Sequence, residues 1–190
     1  MRSDYPAMLD ACVLLPMPLA DTLLRMAEEP RLYLPKWSDE TLAEVTRNLT
    51  GKWNKTPEQA KGREDAMRSA FPEALITGYE HLISVMTNDE KDRHILAAAA
   101  ASGTKLIVTY NAKHFPKDSL EPYGIECQGP STFLISLYDL DPGIVVQKMS
   151  EQAQNIGLSL KELLIKLRIN VSGFVSFFCD EQKLDLPEAD

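Results

Sequence analysis

The sequence predicts an α/β fold, parallel strands alternating with helices, followed by an all-helical C-terminal segment. Three observations predict it. The short apolar runs at residues 7–9 and 105–109 lack in-out alternation, as expected of strands covered on both faces. The segments between them carry helix start and stop signals. After Pro130 the strand signals cease and helical patterns continue alone.

Residues 7–9 end at Asp10, between Pro6 and Pro16, and read as the first strand. Leu19, Leu23 and Met26 then recur at helical spacing until Pro30 stops the pattern. Residues 32–34 form a candidate second strand. Ser38 or Asp39 caps the next helix, whose buried face is Leu42, Val45 and Leu49 and which Gly51 interrupts. Thr56-Pro57-Glu58-Gln59 combines an N-cap, a proline at the first helical position and a reciprocal partner three residues on, so a helix starts there and runs to Phe71. Residues 72–78 read as a further helical stretch and 84–86 as a brief connector. Asp89 caps an alanine-rich helix over 91–102 that Gly103 ends. Residues 105–109 are the clearest strand and 124–127 a weaker one. Asp141-Pro142 and the capping box Ser159-Leu-Lys-Glu162 start two more helices. The expected domains are an α/β unit over 1–140 and a helical extension over 141–190 with a frayed acidic tail.

With 190 residues, 44% apolar and 25% charged, the chain has the composition of an ordinary globular protein, which excludes disordered and collagen-like classes. Cys12, Cys127 and Cys179 are far apart and in no C-x-x-C pair, so neither a disulfide framework nor a zinc ribbon is indicated and a reducing cytoplasm is expected. No apolar run approaches the roughly 18 residues a membrane span needs, and Arg2 is followed by Asp4 and Asp10 where a targeting segment would stay basic. The net charge of −8 is unevenly placed: five acids and one lysine lie from Asp180 onward. Arg47, Lys52, Lys55, Lys61 and Arg63, by contrast, are interrupted only by Glu58. That basic stretch reads either as a solvated helix end or as a contact for phosphates.

Nucleotide-loop, dinucleotide, zincin and hydrolase-elbow signatures are absent. What remains is a dispersed polar set. Asp10 ends the first strand and Asn111 lies just beyond the 105–109 strand, so in a parallel sheet both fall at the carboxyl edge where such sheets bind ligands. Asp92 opens the alanine-rich helix, with Asp89 as its alternate, and Glu44 lies mid-helix away from the apolar stripe. Carboxylates drawn together repel unless a cation sits between them, and hard oxygen ligands select Mg²⁺ or Mn²⁺. Such a metal activates water and neutralises charge on a phosphodiester, so the chemistry indicated is metal-dependent phosphodiester hydrolysis.

Four segments carry a resemblance: Met8-Leu-Asp10-Ala-Cys-Val-Leu14, Ser38-x-x-Thr-Leu-x-Glu44-Val-x-Arg47-Asn-Leu49, Asp92-Arg-His-Ile-Leu-Ala-Ala-Ala99, and Ile107-Val-Thr109-Tyr-Asn111-Ala-Lys-His-Phe115-Pro116. In order and spacing, over roughly residues 5–130, they resemble the motifs of PIN-domain ribonucleases, in particular VapC-like toxins of type II toxin–antitoxin systems with a helical C-terminal extension. The resemblance implies a PIN-like three-layer fold, a central parallel sheet flanked by helices. It implies a cytoplasmic Mg²⁺-dependent endoribonuclease (Mn²⁺ as substitute) that acts on structured RNA, with tRNA the foremost class. It also implies a small cognate antitoxin and a homodimer. Asp10, Glu44, Asp92 and Asn111 would be catalytic, with Asp10 and Asp92 holding metal. Arg47, Thr109, Lys113 and His114 would contact substrate. Asn111 and His114 stand where the family commonly has acids, which leaves the number of metals open. Two other classes share parts of the pattern: a phospho-receiver-like domain, which would want a second acid beside Asp10, and a catalytically impaired PIN-like module that binds RNA or protein. Lys52, Lys55, Lys61 and Arg63 are expected on the RNA side. Phe174, Val175, Phe177 and Phe178 are expected either to extend the antitoxin surface or to pack inward.

Overall fold

A computed structural model describes residues 4–187. Arg2, with the targeting argument that rests on it, and the last two acids of the tail, Glu188 and Asp190, lie outside the described residues. The described chain forms two compact units. One combines Tyr5–Leu15 with Tyr33–Gly129; the other combines Pro16–Leu32 with the chain from Pro130 onward.

The first unit holds a five-stranded, all-parallel sheet flanked by helices. Its strands are β1 (Pro6–Leu9), β2 (Leu34–Ser38), β3 (Leu75–Ile76), β4 (Leu106–Val108) and β5 (Glu126–Gln128), in the order β3-β2-β1-β4-β5. β1 is central, and the chain winds away from it first toward β3 and later toward β5. The carboxyl ends of β1 and β4 therefore flank a topological switch point, where open α/β sheets place their ligand crevice. The helices are α1 (Ala11–Leu14), α3 (Asp39–Gly51), α4 (Pro57–Ala70), α5 (Arg93–Ser102) and α6 (Lys117–Leu120); α2 (Leu19–Ala27) belongs to the other unit. Met8, Ile95, Leu96, Ile107 and Phe115 are among the buried residues of its core, with Ala97, Ala98 and Ala99 fully buried beside them. The alanine-rich sequence of α5 thus serves close packing. Gly103 ends that helix in the left-handed region, φ 69°, with its N–H turned back to Ala100 and Ala99.

Local signals locate most elements and misplace some. Ser38, not Asp39, caps α3 by accepting from the Thr41 N–H at 3.2 Å. The capping box at Thr56 and Gln59 is formed as expected. Thr56→Ala is expected to cost about 1 kcal/mol, seen as a lower thermal midpoint.

β2 is displaced from the expected 32–34 because Leu34 enters the ladder by donating to the Tyr5 carbonyl, and the strand then runs through Pro35. Alternation turns the nitrogen of Pro35 away from β1. β3 pairs only with Trp37 and Ser38, so no ladder bond is lost there. The helical reading of 72–78 is corrected: a single 3-10 turn, Pro72–Ala74, leads into β3, a Leu-Ile pair too short to show a period. The connector expected at 84–86 belongs to a longer 3-10 turn, Glu80–Val85. Asp89 caps a 3-10 turn, Glu90–Asp92, and α5 begins only at Arg93 because the Asp92 backbone (φ −111°, ψ 9°) breaks the helix. β5 starts two residues later than expected, after a 3-10 turn closed by Gly124.

The second unit packs α2 with α7 (Pro130–Leu140), α8 (Pro142–Asn155) and α9 (Leu160–Gln182). Gln152, 1% exposed, accepts from Thr22 at 2.7 Å and donates to the Pro18 carbonyl, and Lys148 donates to the Glu28 carbonyl at 2.9 Å. The sequence boundary near Leu140 divides the chain by order, whereas packing gathers α2 and α7 with the C-terminal helices. Phe174, Val175 and Phe178 are buried within this unit, and Tyr138 meets Phe177 and Phe178 edge-on at 5.3 and 5.9 Å. Of the two expected roles the structure takes inward packing: Phe174, Val175 and Phe178 are core, and Phe177 is half-buried. The frayed tail is corrected in part, since α9 continues to Gln182 and Arg168 donates to the Pro187 carbonyl at 2.7 Å.

Candidate active site

β1 and β4 place Asp10 and Thr109 side by side at the switch point. Asp10 ends the β1 ladder, its N–H donating to Val108, and its extended backbone makes it the N-cap of α1. It is 2% exposed. One carboxylate oxygen accepts from the Cys12 N–H at 3.3 Å. The other accepts from the Cys12 thiol at 3.1 Å and from the Thr109 hydroxyl. Burial and the neighbouring Asp10 push the Cys12 thiol well above its usual range, so it serves as a donor. Thr109 in turn accepts from the Asn111 N–H at 2.9 Å. Its hydroxyl, fully buried and directed to Asp10, orients that carboxylate and is not open to substrate as expected from the sequence.

Asp92 is buried at the joint between the 3-10 turn and α5. Its Oδ2 lies 2.6 Å from Nδ1 of His114. Burial pushes its carboxyl up, the His114 hydrogen bond pulls it back, and the charge of Asp10 adds to the rise. Glu44, mid-helix in α3 and half-buried, is pushed up by burial and then by the charges of Asp10 and Asp92, with Arg47 opposing. The charges of Asp10 and Asp92 thus act on Glu44, and that of Asp10 acts on Asp92.

Glu44, Asp92, Asn111 and His114 line a cleft of about 590 Å³ together with Glu40, Arg47, Asn48, Lys52 and His94. Lys113 is exposed on the adjoining turn and is not a wall of this cleft. Glu40 and His94 are among the wall residues that sequence reasoning misses. His94, 5% exposed, has its Nδ1 3.8 Å from Glu40 and without a hydrogen bond; burial draws its pKa down while Glu40, Asp92 and Asp10 oppose. The signal for both is spacing: Glu40 precedes Glu44 by one helical turn, and His94 follows Asp92 by two residues. Of the basic stretch, Lys52 lines the cleft, but Lys61 is paired with Asp65 at 2.9 Å and Arg63 donates to the carbonyls of Leu14 and Leu15. For Arg63 the expected substrate role is corrected to internal bonding, whereas Lys61 stays exposed in a surface ion pair.

The donor set fits a hard divalent cation: Asp10, Glu44 and Asp92 offer carboxylate oxygens. Among the described residues, the group that brings one ligand atom each within 4.8 Å of one another is Asp89, Asp92 and His114, without Asp10 or Glu44.

The profile of the PIN domain family matches residues 6–113, more than half the chain. The chain belongs to the PIN-domain family. This PIN-domain chain is 40% identical over 104 residues to "Putative ribonuclease VapC50" of Mycobacterium tuberculosis. The match covers 53% of the present chain and 61% of VapC50, so the chain spans about three-fifths of that relative's length. The PIN-domain chain also resembles, at a TM-score of 0.45 and 21% identity, a chain in a crystal structure of VapBC2 from Rickettsia felis bound to a DNA fragment from their promoter. That likeness covers 65% of this chain and 98% of the other. No described helix is long and apolar enough to cross a membrane.

Proposed function

We propose that this PIN-domain protein is a metal-dependent endoribonuclease and the toxin of a type II toxin–antitoxin pair, hydrolysing phosphodiester bonds of structured RNA, with tRNA the foremost class. The observation that carries the reading is geometric: in a PIN-domain chain, Glu44, Asp92, Asn111 and His114 line one cleft, and the buried Asp10 stands at the carboxyl end of β1. Mg²⁺ or Mn²⁺ held by Asp10 and Asp92 would supply water activation and charge neutralisation at the scissile phosphate. Thr109 and Cys12 fix the Asp10 carboxylate, and His114 fixes that of Asp92. Glu44, its carboxyl pushed up by burial and by the charges of Asp10 and Asp92, stands at the cleft wall where a proton could be held or released. Asn111 offers a neutral amide there, and Arg47 and Lys52 offer cations to RNA phosphates.

The antitoxin in this reading is a small protein that silences the cleft, and the chemistry that competes for buried carboxylates is an arginine or lysine entering beside Asp92. Expression in cells lacking any antitoxin is expected to arrest growth, with relief by Asp92→Asn. Harmless expression of the wild-type chain would refute the toxin reading.

The positions of the lysines make a separate prediction. Lys52→Gln and Lys55→Gln should each flatten the dependence of log affinity for RNA on log salt, by about 0.7 for each phosphate the lysine neutralises. Lys61→Gln and Arg63→Gln should leave that slope unchanged, and Arg63→Gln should lower the thermal midpoint, because its guanidinium is bonded to α1 and the residue after it.

A further inference from the structure

The chain has two tryptophans with opposite environments. Trp37 is fully buried in β2, edge-on to Phe71 at 5.9 Å. Trp53 is 44% exposed immediately beyond α3. An indole left in water has no stabilising role of its own, so its position needs another account.

The loop that carries Trp53 is held in place. The N–H groups of Lys52 and Trp53 both donate to the Asn48 carbonyl, at 2.9 and 3.2 Å, and that of Lys55 donates to Leu49 at 2.9 Å. Asn54 takes the left-handed conformation, φ 50°, which asparagine tolerates better than most side chains. The indole is thus presented on a defined backbone next to Gly51 and Lys52, which line the active-site cleft. Lys52 and Lys55 flank it, and residues 48–57 contain no acid.

We infer that Trp53 is a stacking platform for an unpaired RNA base at the rim of the cleft, with Lys52 and Lys55 contacting the phosphates on either side of it. This rests on the RNA-cleaving reading above and specifies its substrate: the segment entering the cleft is single-stranded. An exposed aromatic face between cations suits a polyanion with flat bases, since stacking tolerates any base while the lysines follow the backbone. A duplex, with its bases already stacked, cannot use the indole.

The test uses the full chain in EDTA, which suppresses cleavage, and a short single-stranded oligoadenylate. Because Trp37 is buried, quenching of tryptophan emission reports on Trp53. Saturable quenching is expected in the wild type, and the affinity, read in all variants from the fluorescence polarisation of an end-labelled oligomer, should fall about tenfold in Trp53→Leu and for an abasic oligomer of equal charge. Neither change should alter the salt slope. In cleavage with metal restored, Trp53→Leu should raise KM and preserve kcat, and its thermal midpoint should match the wild type. Equal binding by Trp53→Leu, equal quenching by the abasic oligomer, or equal affinity for a duplex of the same length would overturn the inference while leaving the nuclease reading intact. Absence of any RNA binding or cleavage by the wild-type chain would instead overturn both.

Discussion

Asp10→Asn is expected to reduce RNA cleavage by about a thousandfold, roughly 4 kcal/mol of transition-state stabilisation, without unfolding the protein. The asparagine keeps two of the local bonds and loses the one from the Cys12 thiol: its carbonyl oxygen accepts from the Cys12 N–H, and its amide donates to the Thr109 hydroxyl in place of the bond now running the other way. What disappears is one negative charge from a group of three. Asp10 raises the carboxyls of both Glu44 and Asp92, and an acid whose folded pKa is raised destabilises the fold once it ionises. Without metal at neutral pH the variant should therefore unfold at an equal or higher temperature than the wild type. Any gain should fade as pH falls through the raised pKa values and those two acids protonate. Asp10→Ala separates structure from chemistry, because it also removes the N-cap and the partner of Thr109, costing about 2 kcal/mol. Turnover retained in Asp10→Asn would show that Asp10 only ends a strand.

Phe178→Ala should be the most damaging single substitution among the phenylalanines of α9. The ring is fully buried, 5.9 Å from Tyr138 and 5.7 Å from Phe174, and its removal leaves a cavity in a helical unit with little else of that size to close it. The expected loss is about 3–5 kcal/mol in denaturant unfolding. Phe177→Ala, at a half-buried position that touches Tyr138, should cost less. Unchanged stability in Phe178→Ala would contradict inward packing and favour the surface role that their clustering in sequence also allows.

That contrast shows where local sequence carries information. β1 and β4 are legible because an apolar run ending in a polar residue is a local pattern, and Asp10 and Thr109 come with it. Ser38, Thr56 and Ser159 are legible because a cap and its partner lie within four residues. β3 is not, since Leu75 and Ile76 become a strand only by pairing with Trp37 and Ser38. The grouping of α2 with α8 depends on contacts such as Thr22 to Gln152, 130 residues apart. Within the site Asp10 and Asp92 can be proposed from their places at element ends, and Glu44, mid-helix, only from the motif around it. The employment of Arg63 on the carbonyls of α1, and the closure of Thr109 behind Asp10, are long-range facts with no local signature. In sequence His114 is a departure from the family pattern at the rim; its bond to Asp92 across 22 residues makes it part of the arrangement that holds that acid.

The most direct measurement is cleavage of total tRNA by the purified chain after removal of divalent metal, with Mg²⁺ or Mn²⁺ then added back. Cleavage absent in chelator, restored by either metal and lost in Asp10→Asn is the predicted result. Cleavage that persists without metal, or an inert protein at every metal concentration, would contradict the account of Asp10, Glu44 and Asp92 as a metal-dependent nuclease centre.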